Sequence, residues 1–395
     1  MTTETFIVEH LDADVSRLAL SLAGRTDIDV PFALRQIAGY QRVRAKVPRW
    51  AAVADLHFPP RLSLEQCSGE AAAAYKVSLV AAALRAPERR LMYDLTGGMG
   101  IDFSFLAPLF AESVYVEHNE VLCALARHNF PLLGLPAARI CRAEAGDFLR
   151  DAPGADFIFL DPARRSAEGR KVAALSDCSP NVEELLPELL RKARVVLLKL
   201  SPMLDVSEAV RRLSAVQGVH IFAENGECKE LLLLLSAAGE GRAEPEVVCA
   251  DTHFGTFRFR SSDEAAAVAG YAEAPATYLY EPTAAVMKAA PYKLLAATYG
   301  LRKLHPNTHL YTSDELRPDF PGRKFRVLRV GGFGRKELRA FVGCERQANL
   351  AVRNFPQSVA EVRKRLNVRE GGREYWFATT LQGGERRLIA CEKLL

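Results

Sequence analysis

A chain of 395 residues exceeds one ordinary domain, so two or three folding units are expected. With 49% hydrophobic and 25% charged residues, the composition is that of a soluble globular protein. No apolar stretch reaches the ~18 residues of a membrane helix, residues 1–8 lack the basic-then-apolar order of a secretion signal, and the eight cysteines form no C-x-x-C pair, which excludes the usual zinc and disulfide frameworks and fits a reducing cytoplasm. The net charge of +4 conceals an asymmetry. Residues 301–395 carry 20 Lys+Arg against 10 Asp+Glu, hence +10, and the remainder carries 32 against 38, hence −6. A basic tail on a mildly acidic body points to a polyanionic partner, with a solvated basic surface as the alternative.

In chain order, residues 6–50 read as helices: Val15, Leu18, Ala19, Leu22 and Ala23 recur at helical spacing, and Pro31 suits the start of a helix over 32–43. His57-Phe58-Pro59-Pro60 is a break. Ser63 and Gln66 have capping-box spacing and predict one helix running from there through 71–83. Strands are then expected at 91–95, 113–116, 138–142, 157–160, 195–200 and 219–223, with helices near 103–110, 120–130, 182–192 and 206–215. Runs such as Val195-Val196-Leu197-Leu198 read as strands buried on both faces. The alternation predicts a doubly wound α/β, mostly parallel sheet, closed by 231–235 as a terminal antiparallel hairpin strand, because the connector is too short for a parallel crossover. A boundary is expected at 239–245, a hairpin within 252–260 around Phe254, Phe257 and Phe259, and helix or linker at 265–276. A C-terminal α+β region follows from Tyr278, with strand-like 325–330, 338–342, 350–352 and 375–380, and a helix over 358–366 capped by Ser358 and Glu361.

The most informative stretch is Asp94-Leu95-Thr96-Gly97-Gly98-Met99-Gly100-Ile101-Asp102, between the first strand and a helix. Glycines there let the backbone turn tightly and approach a ligand. A dinucleotide turn would read G-x-G-x-x-G, but Phe103 stands at the third glycine and Asp102 would repel a pyrophosphate. The P-loop pattern is absent from the chain. A carboxylate beside a glycine turn suits a cation instead, and S-adenosylmethionine carries a sulfonium and an ammonium group but no phosphate. The segment resembles motif I of the class I S-adenosylmethionine-dependent methyltransferases, acidic-x-Gly-x-Gly-x-Gly, with Thr96 at the first glycine position. A strand–turn–helix corner of another α/β protein is the plainer alternative.

A Rossmann-like methyltransferase sheet implies partners at the later strand ends. Asp94, Thr96, Gly97, Gly98, Gly100 and Asp102 would seat the methionine end of the cofactor, Glu117 the ribose hydroxyls, and Asp147 with Phe148 the adenine. Asp147 reads equally as a helix cap. Asp161 and Pro162 end a buried strand, where open α/β sheets bind ligands. The place resembles motif IV, [D/N]-P-P-[aromatic], which orients an exocyclic amine, but Ala163 and Arg164 replace the second proline and the aromatic, closer to the D-P-P-R form of some RNA methyltransferases. Arg164 and Arg165 would stack on a base or hold a phosphate, or form surface ion pairs. Carbon methylation needs a cysteine at the fourth or fifth strand end; neither has one, and Cys228 reads as a turn or core thiol. Gln66 and Ser68 are candidates for closing over the methionine end, with helix capping as the alternative role.

In the tail, Phe320-Pro321-Gly322-Arg323-Lys324-Phe325, Arg353-Asn354-Phe355-Pro356 and Arg363-Lys364-Arg365 interleave basic and aromatic residues. Together with Tyr375 and Trp376 they suit phosphates and stacked bases, or the aromatics form a small core. Taken whole, from the 65–76 helix through the D-L-T-G-G-M-G-I-D, L-D-P-A-R-R and E-C-K-E motifs to Tyr280-Glu281-Pro282 and this tail, the chain resembles bacterial class I methyltransferases with a C-terminal THUMP-like domain. The resemblance implies five segments: helical 1–62, methyltransferase 63–240, connector 241–279, ferredoxin-like 280–321 and basic THUMP-like 322–395. It implies S-adenosylmethionine as cofactor, no metal and no membrane, and methylation of RNA, tRNA or rRNA, on a base exocyclic amine such as that of guanine. A small-molecule methyltransferase and a non-catalytic S-adenosylmethionine- or RNA-binding protein are the alternatives.

Overall fold

The computed structural model describes residues 2–164, 175–237 and 244–394, and the chain forms two compact units, Met1–Gln217 with Glu230–Arg242, and Gly218–Lys229 with Ala243–Leu395. The first unit opens with helices α1 (Thr3–Glu9), α2 (Val15–Ser21) and α3 (Val30–Lys46), whose first turns are capped by the side chains of Thr2, Asp14 and Asp29. The short α4 (Pro48–Ala51) buries Trp50, which donates from Nε1 to Ser104 Oγ at 2.9 Å. The break at His57-Phe58 is held by two buried amides: Gln36 bonds the N–H and C=O of Phe58, and Asn129 those of His57. Val43, Val47, Trp50, Phe58 and Ala73 share one core with Met99, Ile101 and Phe105, so the N-terminal helices pack directly on the glycine turn.

The helix expected from Ser63 through Ala83 is two helices. Helix α5 (Arg61–Gln66) contains Ser63, and α6 (Glu70–Ala83) begins after Gly69. Ser68 stands in the gap because its hydroxyl bonds buried charged groups rather than a helix end. Strands β1 (Leu91–Asp94), β2 (Glu112–Glu117), β3 (Arg139–Arg142), β4 (Ala155–Leu160) and, beyond the two-residue ribbon β5 (Ala163–Arg164) and β6 (Cys178–Ser179), β7 (Ala193–Leu200) are joined by α7 (Ile101–Leu106), α8 (Glu120–Leu132), α9 (Ala145–Asp151) and α10 (Val182–Lys192). They pair in parallel in the order β7-β4-β1-β2-β3. Every residue of β4 is buried, as its apolar run requires. Helix α11 (Val206–Arg212) is shorter than expected, and Ala215 adopts a positive φ of 67° before β8 (Val216–Glu224). A two-residue turn, Asn225-Gly226, both at positive φ, joins β8 to β9 (Glu227–Leu235). β9 lies antiparallel to β7, as the hairpin expectation has it.

In the second unit, β8 pairs in parallel with β10 (Glu246–Asp251), which forms a hairpin with β11 (Gly255–Phe259). Helix α12 (Ser261–Ala266) takes in only the start of the 265–276 stretch, which continues as connector on either side of β12 (Gly270–Tyr271). The α+β region contains β13 (Tyr278–Pro282), α13 (Ala284–Ala289), α14 (Tyr292–Tyr299), β14 (Arg302–His305), β15 (Thr308–Ser313), β16 (Gly322–Gly332), α15 (Arg335–Val342), β17 (Asn349–Arg353), α16 (Val359–Leu366), β18 (Glu374–Thr380) and β19 (Arg386–Lys393). One sheet takes the order β12-β14-β15-β13-β16-β19-β18-β17. The strand expected at 338–342 is instead the end of α15: Leu338 and Phe341 are buried one turn apart, and the Glu337 carboxylate accepts the Gly334 N–H at 2.9 Å. Ser358 and Glu361 do form the expected capping box of α16.

Three motifs of the tail meet at Glu281. Its buried carboxylate accepts Nε of Arg323 at 2.9 Å and Nε of Arg353 at 2.7 Å. A side chain at Gly322 would fall 2.1 Å from the Glu281 carbonyl oxygen, so only glycine allows this approach. Breaking such a clamp leaves two guanidinium groups side by side. Glu281→Ala is expected to cost about 3 kcal/mol, read as an earlier thermal transition of the full chain; an unchanged transition would show that the clamp is only a surface pair.

Candidate active site at the strand ends

The turn after β1 is shaped by packing on one side and open on the other. A Cβ at Gly97 would lie 2.1 Å from the Tyr115 ring, and one at Gly100 (φ +86°) 2.7 Å from Phe130. Gly98 also has positive φ (+55°), yet a Cβ there would meet only the Thr96 carbonyl oxygen at 3.6 Å. Gly97 N–H donates to Val116 O and Gly98 N–H to Glu117 Oε2, both at 2.9 Å, while Tyr115 OH donates to Gly98 O at 2.5 Å. The open face of Gly98 is therefore a cradle rimmed by carboxylates. Glu117, Asp161 and Asp102 all bear on the Asp94 carboxyl there; such a rim would repel a pyrophosphate and suit a sulfonium and ammonium ligand.

Asp94 is buried, and burial together with neighbouring carboxylates pushes its pKa well up, against the pull of the Thr96 N–H that its Oδ1 accepts at 3.1 Å. Glu117, also buried, accepts Gly98 N–H through Oε2 and Asn119 N–H through Oε1 at 2.8 Å. Its oxygens thereby face the turn with acceptor capacity to spare. Thr96 Oγ1 accepts the backbone N–H of Asp161 at 2.6 Å, tying the end of β4 to the turn. Pro162 is buried behind it and Ala163 is exposed. Arg164 is placed by its backbone pairing with Cys178, and Arg165 lies outside the described residues. Asp147 is exposed and bonds Arg150 at 2.9 Å, and Phe148 stands edge-on to Tyr93. Gln66 is exposed at the end of α5, while Cys228 lies half-buried on β9.

Beneath the turn lies a buried charge network that the sequence reading did not assemble. Lys76, fully buried on α6, sits 2.9 Å from Asp102 Oδ1, 2.6 Å from Glu230 Oε2 and 3.0 Å from Ser68 Oγ. Ser68 Oγ in turn lies 2.7 Å from Asp102 Oδ2 and 2.8 Å from Glu230 Oε1. Asp102 thus spends both oxygens inside the protein. Burial raises its pKa, but Lys76 and Lys199 outweigh that and hold it below the usual range. Lys199, at the end of β7, reaches Asp161 Oδ2 at 2.5 Å. Burial opposes its charge, yet Asp161, Glu230 and Asp102 raise its pKa, so it stays an ammonium. Asp161 keeps 35% of its side-chain surface open; desolvation lifts its pKa and Lys199 only partly offsets this. The signal for these residues was present but indirect: each is a charge embedded in or ending an apolar run, a place that demands a partner.

In the second unit, several basic residues, Arg323, Arg353 and Arg363 of those named from sequence among them, are already engaged. Arg323 and Arg353 hold Glu281, Arg329 forks onto Glu374, and Arg363 pairs with Glu370. Phe325 and Trp376 are wholly buried, so they are core and not stacking platforms. Lys364, Arg365 and Arg369 are exposed on and after α16. Lys364 and Arg369, with Ala360, Arg363, Asn367 and Val368, line a shallow depression of about 400 Å³.

With this geometry in place, comparison with known proteins is informative. Residues 278–321 match the model of a ferredoxin-like domain and residues 322–393 that of a THUMP-like domain. A crystal structure of a candidate methyltransferase from Porphyromonas gingivalis W83 is 33% identical, with a TM-score of 0.87, and covers 100% of this chain and 98% of its own. Two uncharacterised S-adenosylmethionine-dependent methyltransferases of Mycobacterium tuberculosis, strains CDC 1551 and H37Rv, are each 28% identical over 285 residues, 71% of this chain and 74% of theirs.

Asp94 makes a signed prediction about pH. Its folded pKa lies above the unfolded value, so the stability it contributes is complete below about pH 4 and is lost as pH rises toward the folded pKa. Asp94→Asn keeps the acceptor for Thr96 N–H without that loss. Its thermal stability relative to wild type should therefore climb as pH rises above about 4, and a constant difference would contradict the assignment.

Proposed function

Because the chain belongs to the S-adenosylmethionine-dependent methyltransferases that carry C-terminal ferredoxin-like and THUMP-like domains, we propose that it methylates RNA on a base exocyclic amine at the cradle of Gly98. The observation that carries this reading is the hydrogen bond from Asp161 N–H to Thr96 Oγ1, which ties the end of β4 to the glycine turn. When bound, S-adenosylmethionine supplies a methyl group on a sulfonium, whose C–S bond breaks with its electron pair kept on sulfur as the acceptor nitrogen bonds the carbon.

The chain's own residues do the rest. Thr96, Gly97, Gly98 and Gly100 shape the seat, Asp94 faces the methionine ammonium, and Glu117 takes the ribose hydroxyls with its spare acceptor sites. Phe148 and, once released from Arg150, Asp147 serve the adenine. Gln66 sits at the rim. Asp102 acts from beneath through Lys76 rather than by touching the cofactor. Asp161 accepts the acceptor N–H and the departing proton, Pro162 fixes the turn, and Arg164 stands next in line for base or phosphate. Fixing the amine lone pair in line is worth orders of magnitude in rate. RNA as the acceptor is supported by the THUMP-like match, the +10 charge of residues 301–395, and exposed Lys364, Arg365 and Arg369.

Nucleoside mass spectrometry of RNA from cells with and without the gene tests the reading directly; no missing methylated nucleoside, with methyl transfer to a metabolite instead, would replace it by the small-molecule alternative. Asp161→Ala should leave S-adenosylmethionine affinity unchanged by calorimetry and lower transfer about 100-fold or more. Lys364→Ala with Arg369→Ala should weaken RNA binding and flatten its salt dependence by about one unit of slope for each phosphate no longer neutralised; an unaltered slope would move the RNA surface elsewhere.

A further inference from the structure

We propose that Lys199 is a positioning residue for this methyl transfer: from the end of β7 its ammonium group holds Asp161 Oδ2 and leaves Oδ1 to face the acceptor. The distance is 2.5 Å, and Oδ1 accepts no hydrogen bond among the described residues. The inference rests on the reading of Asp161 as the acceptor-orienting group.

Three observations carry it. A carboxylate on a strand end can rotate, and in the usual motif a second proline and an aromatic ring restrict what it meets; here Ala163 is exposed and small and cannot do so. Lys199 replaces that restraint with a charge-assisted bond from the adjacent strand, since β4 and β7 are paired neighbours with Leu160 opposite Leu198. Lys199 is itself buried, at 8% exposure, so its position is not shared with solvent conformers. The acceptor carboxylate therefore has one oxygen spent and one free, which fixes a single direction for an N–H donor.

The surrounding charges explain why a cation is tolerated beside a reaction that places positive charge on the acceptor nitrogen. Asp161 is faced by Lys199 from β7, Asp102 from α7, Glu230 from β9 and Asp94 from β1. Lys76 from α6 bridges Asp102 and Glu230. Lys76 and Lys199 stand against the carboxylates of Asp102, Glu230 and Asp161, with Asp94 and Glu117 beside them. The carboxylates outnumber the two lysines, so the balance stays acidic and suits a cationic ligand. Lys199 thus anchors Asp161 without turning the site cationic.

The test compares Lys199→Met, similar in length but neutral, with Lys199→Arg in the full chain. In ¹³C NMR of carboxyl-labelled aspartate, with the Asp161 signal assigned by Asp161→Asn, Lys199→Met should raise the titration midpoint of Asp161 by about 1–3 pH units. Calorimetric affinity for S-adenosylmethionine should stay within about threefold, while methyl transfer from labelled cofactor to bulk RNA falls about 100-fold and its acid limb moves to higher pH. Lys199→Arg should keep the midpoint and recover a large part of the rate. An unmoved midpoint and acid limb in Lys199→Met, or cofactor affinity lost in step with rate, would overturn the role. Should Lys199→Met fail to fold, Asp161→Asn/Lys199→Met removes both charges: a rate equal to that of Asp161→Asn alone supports action through Asp161, and a further independent loss refutes it. If wild type transfers no methyl group to RNA, the RNA reading fails while the NMR midpoint still decides the Lys199–Asp161 coupling.

Discussion

Two buried ammonium groups, Lys76 and Lys199, are what allow so many carboxylates to converge beneath one glycine turn. Taking a carboxylate or an ammonium out of water costs several kcal/mol even after relaxation, and removing one partner of a buried pair strands the other. Asp102 and Glu230 meet this cost by sharing Lys76 and Ser68, and Asp161 meets it through Lys199. Asp94 has no cation within ion-pair distance among the described residues, and burial with its neighbouring carboxylates pushes its pKa well up. The site thus treats its carboxyl groups in two ways within a few residues: burial disfavours the charge at the end of β1, while the network below it pairs its charges.

This arrangement ties distant parts of the first unit to one place. Lys76 comes from the helix before the sheet, Asp102 from the helix after the glycine turn, Lys199 and Glu230 from the paired strands β7 and β9. Trp50 adds the N-terminal helices through its bond to Ser104 on α7. Buried networks of this kind are satisfied as a whole or not at all. Glu230 on β9 and Asp102 on α7, both paired with Lys76 of α6, therefore bear electrostatically on Lys199 and on Asp161. The helices before the sheet are part of how the site is built, and not a separate appendage.

The legibility of the sequence divides along the same line. Strands β1, β2, β4 and β7, the α8 and α10 helices and the closing antiparallel strand could be read because continuous apolar runs and helical periodicity are local properties. The glycine turn and Asp161 could be read because both sit at the ends of such runs. Errors arose where a local pattern had a tertiary competitor. The spacing of Ser63 and Gln66 imitates a capping box, but the helix is interrupted at Ser68, whose partner Glu230 lies 162 residues away. Residues 338–342 are apolar enough for a strand, yet Leu338 and Phe341 a turn apart make a helical face against Trp376 and its neighbours. Lys76 and Lys199 were invisible as a pair because nothing local says that two isolated lysines share a floor of carboxylates.

The second unit shows the reverse relation between motif and role. The basic Gly322-Arg323 step and Arg353, which suit phosphates by sequence, converge with Tyr280-Glu281-Pro282 on one clamp in which Glu281 satisfies both guanidinium groups. A guanidinium already forked onto a buried carboxylate presents far less net charge to a phosphate than a free one. Residues open to attract a polyanion include Lys364, Arg365 and Arg369 around a helix whose inward face, Val362 and Leu366, is ordinary core. Motif density in this tail therefore tracks the architecture that holds β13, β16 and β17 together, and the surface that would grip RNA is set by charge that no buried carboxylate has claimed. An arginine shared with a buried glutamate and an arginine open to solvent are the same letter in sequence, so only the three-dimensional pairing separates scaffold from recognition.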